Sequence, residues 1–347
     1  MLMLSARSRT EWIITLYTIA IGAVGAVLAY YLSFPIYVLT GPAIMVSMIS
    51  LTGFKFAITP VVRDIAFLLI GIGIGAGVTS EATAAVLRWP LAIAALAVML
   101  VAIILLCQFL LVRFFNFDRR SAVLAATPGH LSFVIGLGDA LGLDVARVAV
   151  VQSIRLLALT LLVPLVAILF GVKLGTNILP AGISMQGVHL LGLIVVSVGA
   201  GMVLKRLNVP AAILIGAMIT SGVFHALGLT PGVLPENIAL PCFLVIGTMI
   251  GTRFSGISYL QLKNTLLAGL ATTAVSISLT VMTALPIAYF LTIPTAHVVV
   301  AFSPGGLETM IAMGAVLGAN PGFVAACHIG RLLLLPLLVP ALLAQRK

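Results

Sequence analysis

The chain is poor in charge. Only 7% of its 347 residues are Asp, Glu, Lys or Arg, while 62% are hydrophobic and the mean hydropathy is +1.30. Soluble domains carry roughly 25% charged residues, so this chain cannot cover a water-facing surface. A soluble nucleotide-binding domain, a secreted disulfide scaffold and a disordered chain are excluded, and an integral membrane protein remains, with the lipid bilayer as its first partner. Cysteine is scarce too. Cys107, Cys242 and Cys327 each lie inside an apolar run with no C-x-x-C and no neighbouring ligand cluster, so neither a disulfide framework nor a zinc site is indicated. Acidic residues number 8 against 18 Lys plus Arg, a net charge of +10. The basic residues stand singly or in pairs between apolar stretches, the way loop charge encodes topology. No Lys/Arg-rich run marks a nucleic-acid partner.

Long apolar runs are what the chain does have. Six fall near 12–32, 36–51, 60–79, 89–113, 121–140 and 145–170, and six more near 186–204, 210–226, 236–252, 263–291, 296–316 and 322–344. The two sets align from end to end. Pro35 and Gly41 match Pro210 and Gly216 at an offset of 175. Gly71 and Gly75 fall on Gly247 and Gly251, Thr127-Pro128-Gly129 on Ser303-Pro304-Gly305, Arg155 on Arg331 and Pro164 on Pro340, all at 176. The first run follows Arg7 and Arg9 as a signal peptide would. Its copy at 186–204 argues that it is retained.

Equivalent loops swap charge. Lys205 and Arg206 correspond to Tyr30 and Tyr31, and Arg119 and Arg120 to Thr295 and Ala296. If one segment of each half is re-entrant, most basic residues collect on the cytoplasmic side and only Arg88 and Lys173 lie outside. Twelve full crossings give a much poorer bias. The expectation is an all-α polytopic membrane protein of two inverted repeats, 1–175 and 176–347, with about ten transmembrane helices and two re-entrant or broken segments. Both termini are then cytoplasmic and the chain is multi-pass in a bacterial inner membrane.

The fifth segment of each half is the candidate for re-entrance. It is interrupted by Thr127-Pro128-Gly129-His130 in one half and Ser303-Pro304-Gly305-Gly306 in the other. Proline removes a backbone donor and biases its predecessor away from helix. A broken segment exposes half-helix ends whose free N–H groups can hold an anion, with Thr127 or Ser303 expected as a cap. Paired interruptions in two inverted halves point to a transporter substrate site. A kink that merely packs is the plain alternative.

These features resemble one family. The second segment with its glycine, the Gly-x-x-x-Gly third segment, the Thr/Ser-Pro-Gly break and the Arg-Leu-Leu sixth segment, each in two copies across essentially the whole chain, are similar to the AbrB-duplication membrane proteins. Members often carry the label ammonia monooxygenase or regulator. The resemblance implies a duplicated, polytopic inner-membrane protein. The layout also resembles, at the level of fold, elevator-type secondary carriers of carboxylates, for which a homodimer is common.

Arg155 lies about eleven residues, or roughly 16 Å, into its segment, near the middle of a core about 30 Å thick, and Arg331 does the same. A buried Arg faces a partner or a cavity, and its planar fork suits a carboxylate. Capping of carbonyls freed by the break is the structural alternative. Glu308 stands where the first copy has Ser132. That asymmetry suits an ion-coupling residue, and a fixed ion pair to Arg331 or Arg155 competes with it. His130 and His328 are titratable candidates beside the breaks, with a satisfied buried histidine as the alternative for each. His189, His225 and His297 are expected to be interfacial. Gly71-x-x-x-Gly75, Gly73-x-x-x-Gly77 and Gly247-x-x-x-Gly251 are expected to permit close helix packing.

Enzyme readings fare poorly. Gly136-Leu137-Gly138-Asp139 resembles an intramembrane aspartyl protease signature, but no Tyr-Asp partner occurs. A monooxygenase needs a metal or flavin site, and no H-E-x-x-H, clustered ligands or cofactor fingerprint is present. The expectation is a secondary transporter of a small organic anion, elevator-like and without a cofactor. Substrate contacts are expected at Thr127, Pro128, Gly129, His130, Arg155, Ser303, Pro304, Gly305, Gly306 and Arg331, and ion coupling at Glu308 and His328. A membrane sensor that affects gene expression indirectly is the alternative.

Overall fold

The computed structural model describes residues 2–77, 89–129, 131–172 and 182–344. Fourteen α-helices occur among them. They are α1 (Leu2–Tyr31), α2 (Tyr37–Ser50), α3 (Pro60–Gly75), α4 (Trp89–Phe115), α5 (Arg119–Ala126), α6 (Leu131–Ala140) and α7 (Val145–Leu169), then α8 (Gly187–Arg206), α9 (Ala212–Ala226), α10 (Glu236–Gly251), α11 (Tyr259–Leu291), α12 (Thr295–Phe302), α13 (Leu307–Val316) and α14 (Pro321–Ala344). Local chemistry sets several starts. Asp118 and Asp144 cap α5 and α7 by accepting the Ser121 and Arg147 N–H groups. A reciprocal Ser258/Gln261 capping box opens α11, which therefore begins at 259 rather than 263. α1 is likewise helical well before its apolar stretch.

Seven of these helices are long and apolar enough to cross a membrane. α2, α3 and α9 have 14, 16 and 15 residues, about 21–24 Å at 1.5 Å per residue, short of a hydrocarbon core about 30 Å thick. The fifth and sixth helices of each set of seven match closely, 8 and 8 residues for α5 and α12 and 10 and 10 for α6 and α13.

The chain forms two compact units. Unit 1 takes Met1–Ala84, Lys173–Ile257 and Ile311–Gly322, and unit 2 takes Ala85–Val172, Ser258–Met310 and Phe323–Lys347. Each unit draws on both halves of the sequence, the early helices of each half in unit 1 and the later ones in unit 2, except that α13 from Ile311 onward falls in unit 1.

Unit 1 is built on glycine contacts between helices. α3 packs on α9 and α10 on α2. A Cβ placed on Gly71 would fall 2.5 Å from the Leu214 carbonyl oxygen and 2.8 Å from Ala217 Cβ, and one on Gly251 would fall 2.5 Å from Val46 Cβ. Gly75 and Gly247 face Met218 and Leu39 in the same way. The Gly71/Gly75 and Gly247/Gly251 spacings thus serve close approach, since packing in lipid rests on van der Waals contact. Gly73 and Gly77 do not form such a seam. Gly73 meets the Leu234 side chain, and Gly77 only its own Ile74 carbonyl. Arg63 pairs locally with Asp64 at 2.8 Å, and His225 is bonded rather than free at its helix end, with Nδ1 2.7 Å from the Ser221 carbonyl oxygen and Nε2 3.0 Å from that of Gly232.

In unit 2, α7 packs against α5, α12 and α11, and α4 packs on α5 and α11. α11 approaches α7 at Gly269, where an added Cβ would lie 2.7 Å from Ile154 Cβ.

Because the neighbours of Gly71 include backbone, Gly71→Val is expected to destabilise the protein by about 1–3 kcal/mol or more, as overpacking does. Gly136, with nothing within 4 Å of a Cβ, is expected to accept Ala with no loss. Thermal unfolding of the two variants in detergent checks the contrast.

Candidate functional site

The interruptions expected from sequence are present, and both lie in unit 2. α5 ends at Ala126 and α6 begins at Leu131; α12 ends at Phe302 and α13 begins at Leu307. The backbone turns alike at both. Thr127 has φ −65° and ψ 119°, and Ser303 has φ −58° and ψ 127°. The Gly129 N–H donates to the Thr127 carbonyl at 2.9 Å and the Gly305 N–H to the Ser303 carbonyl at 2.8 Å, each closing a tight turn around its proline.

The hydroxyls depart from expectation. Thr127 Oγ1 donates to the Val123 carbonyl and Ser303 Oγ to the Val299 carbonyl, both at 2.7 Å. Neither caps the helix that follows. A residue that ends a helix can bond back to the carbonyl four residues earlier, and in an apolar interior that bond satisfies the hydroxyl at once.

The two arginines are the anchors of the breaks. Arg155 is 1% exposed and Arg331 3%. Arg155 Nη1 donates to the Ala125 and Ala126 carbonyls at 3.3 and 3.2 Å, and Nη2 to the Thr127 carbonyl at 3.0 Å. Arg331 Nη1 donates to the Ser303 carbonyl at 3.2 Å and Nη2 to the Gly305 carbonyl at 2.8 Å. Each guanidinium therefore satisfies carbonyls that a broken helix leaves bare. Both Nε groups are buried without a partner.

The breaks are neighbours within unit 2. α7, which carries Arg155, touches both α5 and α12, and a Cβ on Gly129 would lie 3.4 Å from Leu335 Cδ1, one turn beyond Arg331 on α14. Arg155 repels and Glu308 attracts the Arg331 charge. Glu308 occupies the first turn of α13, where a helix dipole favours an anion. It is half-buried and makes no salt bridge within 4 Å among the described residues, so the fixed ion pair to Arg331 or Arg155 is not formed.

One contributor escaped the sequence reading. Gln152 is 1% exposed, and its Nε2 donates to the Leu124 carbonyl at 2.9 Å. It lies three residues before Arg155, one turn along the same face. At the offset of 176 its counterpart is His328, and the counterpart of Leu124 is Val300. The buried His328 ring approaches the Val300 backbone, but neither nitrogen makes a hydrogen bond of good geometry. The shared offset was the available signal; the change from Gln to His concealed it. His130 lies outside the described residues, as do Arg88 and Lys173. Among the described residues, no group of three His, Cys, Asp or Glu side chains is disposed to hold a metal ion.

Comparison with known proteins adds a family. A family model described as "Transition state regulatory protein AbrB" matches residues 38–346. A Bacillus subtilis (strain 168) protein named "Uncharacterized protein YhjN" is 26% identical over 264 residues, 70% of this chain and 68% of that protein. An Escherichia coli (strain K12) protein named "Putative regulator AbrB" is 25% identical over 314 residues, 89% of each chain. No solved structure matches.

If capping is the shared duty of Gln152 and His328, His328→Gln should supply the missing bond to Val300 and leave the melting temperature unchanged or raised. Gln152→Leu should bare the Leu124 carbonyl and cost about 1–3 kcal/mol. Thermal melts in detergent distinguish the two.

Proposed function

The chain belongs to the AbrB family, and on that premise we propose that it is a secondary transporter of a small organic anion. One observation carries the reading: two fully buried guanidinium groups flank a pair of helix breaks in one compact unit, and the acidic group acting on Arg331 is the half-buried Glu308. Each break contributes a negative helix end and a positive one, which roughly cancel. Two arginine charges then stand against one carboxylate. A buried, uncompensated cation is costly, and a bound anion offsets that cost.

The chemistry differs from a simple fork on a carboxylate. The Nη groups are partly engaged by backbone, so the solute would meet the Nε groups, the remaining Nη hydrogens, the charge of the paired arginines and the N–H groups opening α6 and α13. In this reading Thr127, Pro128, Gly129, Ser303, Pro304, Gly305 and Gly306 would line the solute site through their backbone. Glu308 is the proposed coupling group, because a proton or cation there changes how much anionic charge the arginines can accept.

Several observations support an elevator-like arrangement of inverted repeats. Helix order recurs between the halves, the lengths of α2, α3, α5, α6 and α7 match those of their counterparts within one residue, and every proposed site residue among the described ones falls in unit 2. Unit 2 is then the carrier and unit 1 the scaffold. Ten crossings of a plasma membrane, with both termini cytoplasmic, require the short α2, α3 and α9 to cross as well, through a locally thinned or protein-lined path. A second reading has one specific support, the relative named as a regulator. It makes this chain a membrane sensor whose effect on gene expression runs through the solute it binds.

The test is thermal stabilisation of the purified protein across carboxylates, amines and neutral solutes, with Arg155→Ala, Arg331→Ala and Arg331→Lys beside wild type. A carboxylate at a hundred times its Kd should stabilise wild type by about 2.7 kcal/mol and fail to stabilise folded arginine variants. Stabilisation by amines or neutral solutes alone, equal in all variants, would show that the arginines are caps and that the anion reading is wrong.

A further inference from the structure

Unit 2 holds a second polar feature, distinct from the breaks. A cleft of about 300 Å³ lies between the first turns of α7 and α11, lined by Asp144, Arg147, Gln261, Asn264 and Thr265. Arg147 is locked in place. Its Nη1 and Nη2 donate to the Asn116 and Phe115 carbonyls at 3.0 and 2.6 Å, and its guanidinium carbon lies 3.8 Å from the Phe117 ring centroid. Asp144 lines the cleft as well; its Oδ1 accepts the Arg147 backbone N–H at 3.0 Å as the cap of α7, and its carboxylate keeps its charge.

The remaining donors are free. Gln261 Oε1 accepts the Ser258 N–H at 2.9 Å, which leaves its Nε2 without a bond among the described residues. The Asn264 carboxamide likewise makes no hydrogen bond there. Thr265 turns its hydroxyl away, onto the Gln261 carbonyl at 2.7 Å. Arg147 and two unspent amide donors can meet an oxyanion, and the one carboxylate of the lining has Oδ1 already turned to a backbone N–H.

The surroundings identify the source of that oxyanion. α11 has 33 residues, about 50 Å, and exceeds a hydrocarbon core about 30 Å thick. Its first turns therefore stand at the lipid–water border, where the exposed Tyr259 suits an aromatic belt. Leu260, Asn264 and Leu267 share one face of α11 at helical spacing, and both leucines are exposed. An apolar stripe continues from the amide into the bilayer.

We propose that this cleft holds the phosphate of a phospholipid headgroup, with the acyl chains laid along the Leu267 face of α11. A free phosphate ester shares the headgroup chemistry but has nothing to place on the leucine stripe. The full-length protein in detergent is tested with dihexanoyl phosphatidylglycerol, glycerol 3-phosphate and inorganic phosphate at equal ionic strength. The lipid should raise the melting temperature of wild type and of Arg331→Lys by about 2–4 °C, and the two soluble phosphates should not. Asn264→Leu and Arg147→Gln should lose at least half of that shift. Asn264→Leu changes an exposed side chain that makes no hydrogen bond, so it keeps the fold, and its own baseline melt verifies this. Equal stabilisation by glycerol 3-phosphate or inorganic phosphate would assign the cleft to a soluble anion and overturn the lipid. An unchanged response in Asn264→Leu, or no response in wild type, would overturn the site itself.

Discussion

A helix cut in an apolar interior leaves carbonyls without partners, and in this protein guanidinium groups close both cuts. The alternative donors are poor. A lysine offers a compact charge, and a serine or threonine hydroxyl gives a single bond that here is taken up by its own helix. An arginine can satisfy two or three carbonyls from one rigid plane. The arrangement fixes much of unit 2. α7 must lie against the end of α5 for Arg155 to reach Ala125, Ala126 and Thr127, and α14 must do the same for Arg331 to reach Ser303 and Gly305. Gly269 then lets α11 close on Ile154.

Capping takes half of the ten guanidinium hydrogens of the pair. Every Nη gives at least one bond to backbone, yet Arg331 keeps a second hydrogen on each Nη and Arg155 one on Nη2, beside the two unbonded Nε groups. What the caps cannot remove is the monopole. Hydrogen bonds to neutral carbonyls spread each charge but do not cancel it, so the charge of the two arginines persists beside the breaks.

The parts of this design that repeat were legible in the sequence. Proline after a hydroxyl residue, glycine after proline and arginine twenty-six to twenty-eight residues later recur at one offset, and each has a local consequence. The Gly71/Gly75 and Gly247/Gly251 seams were legible for the same reason. Direction was not legible. Nothing in Thr127 or Ser303 as residue types tells whether the hydroxyl points forward to cap one helix or backward to bond another. Gly73 and Gly77 share the spacing of a seam but look toward a side chain and a bare turn; spacing fixes a face, not what the face meets. The cleft at Asp144 and Asn264 was invisible because its lining comes from distant stretches of chain and common polar residues.

The two breaks are close copies in backbone and unlike in side chain. Their turn angles agree within about 10°, and each is held by an arginine from the helix that follows. Yet the first copy has Ser132 and Gln152 where the second has Glu308 and His328. Gln152 completes its cap; His328 leaves both ring nitrogens unbonded. The architecture of the second copy therefore does not depend on the residues that make it different. Asymmetry between the halves is carried by side chains such as these, and by His130 where the second copy has Gly306, because the turns they decorate are matched.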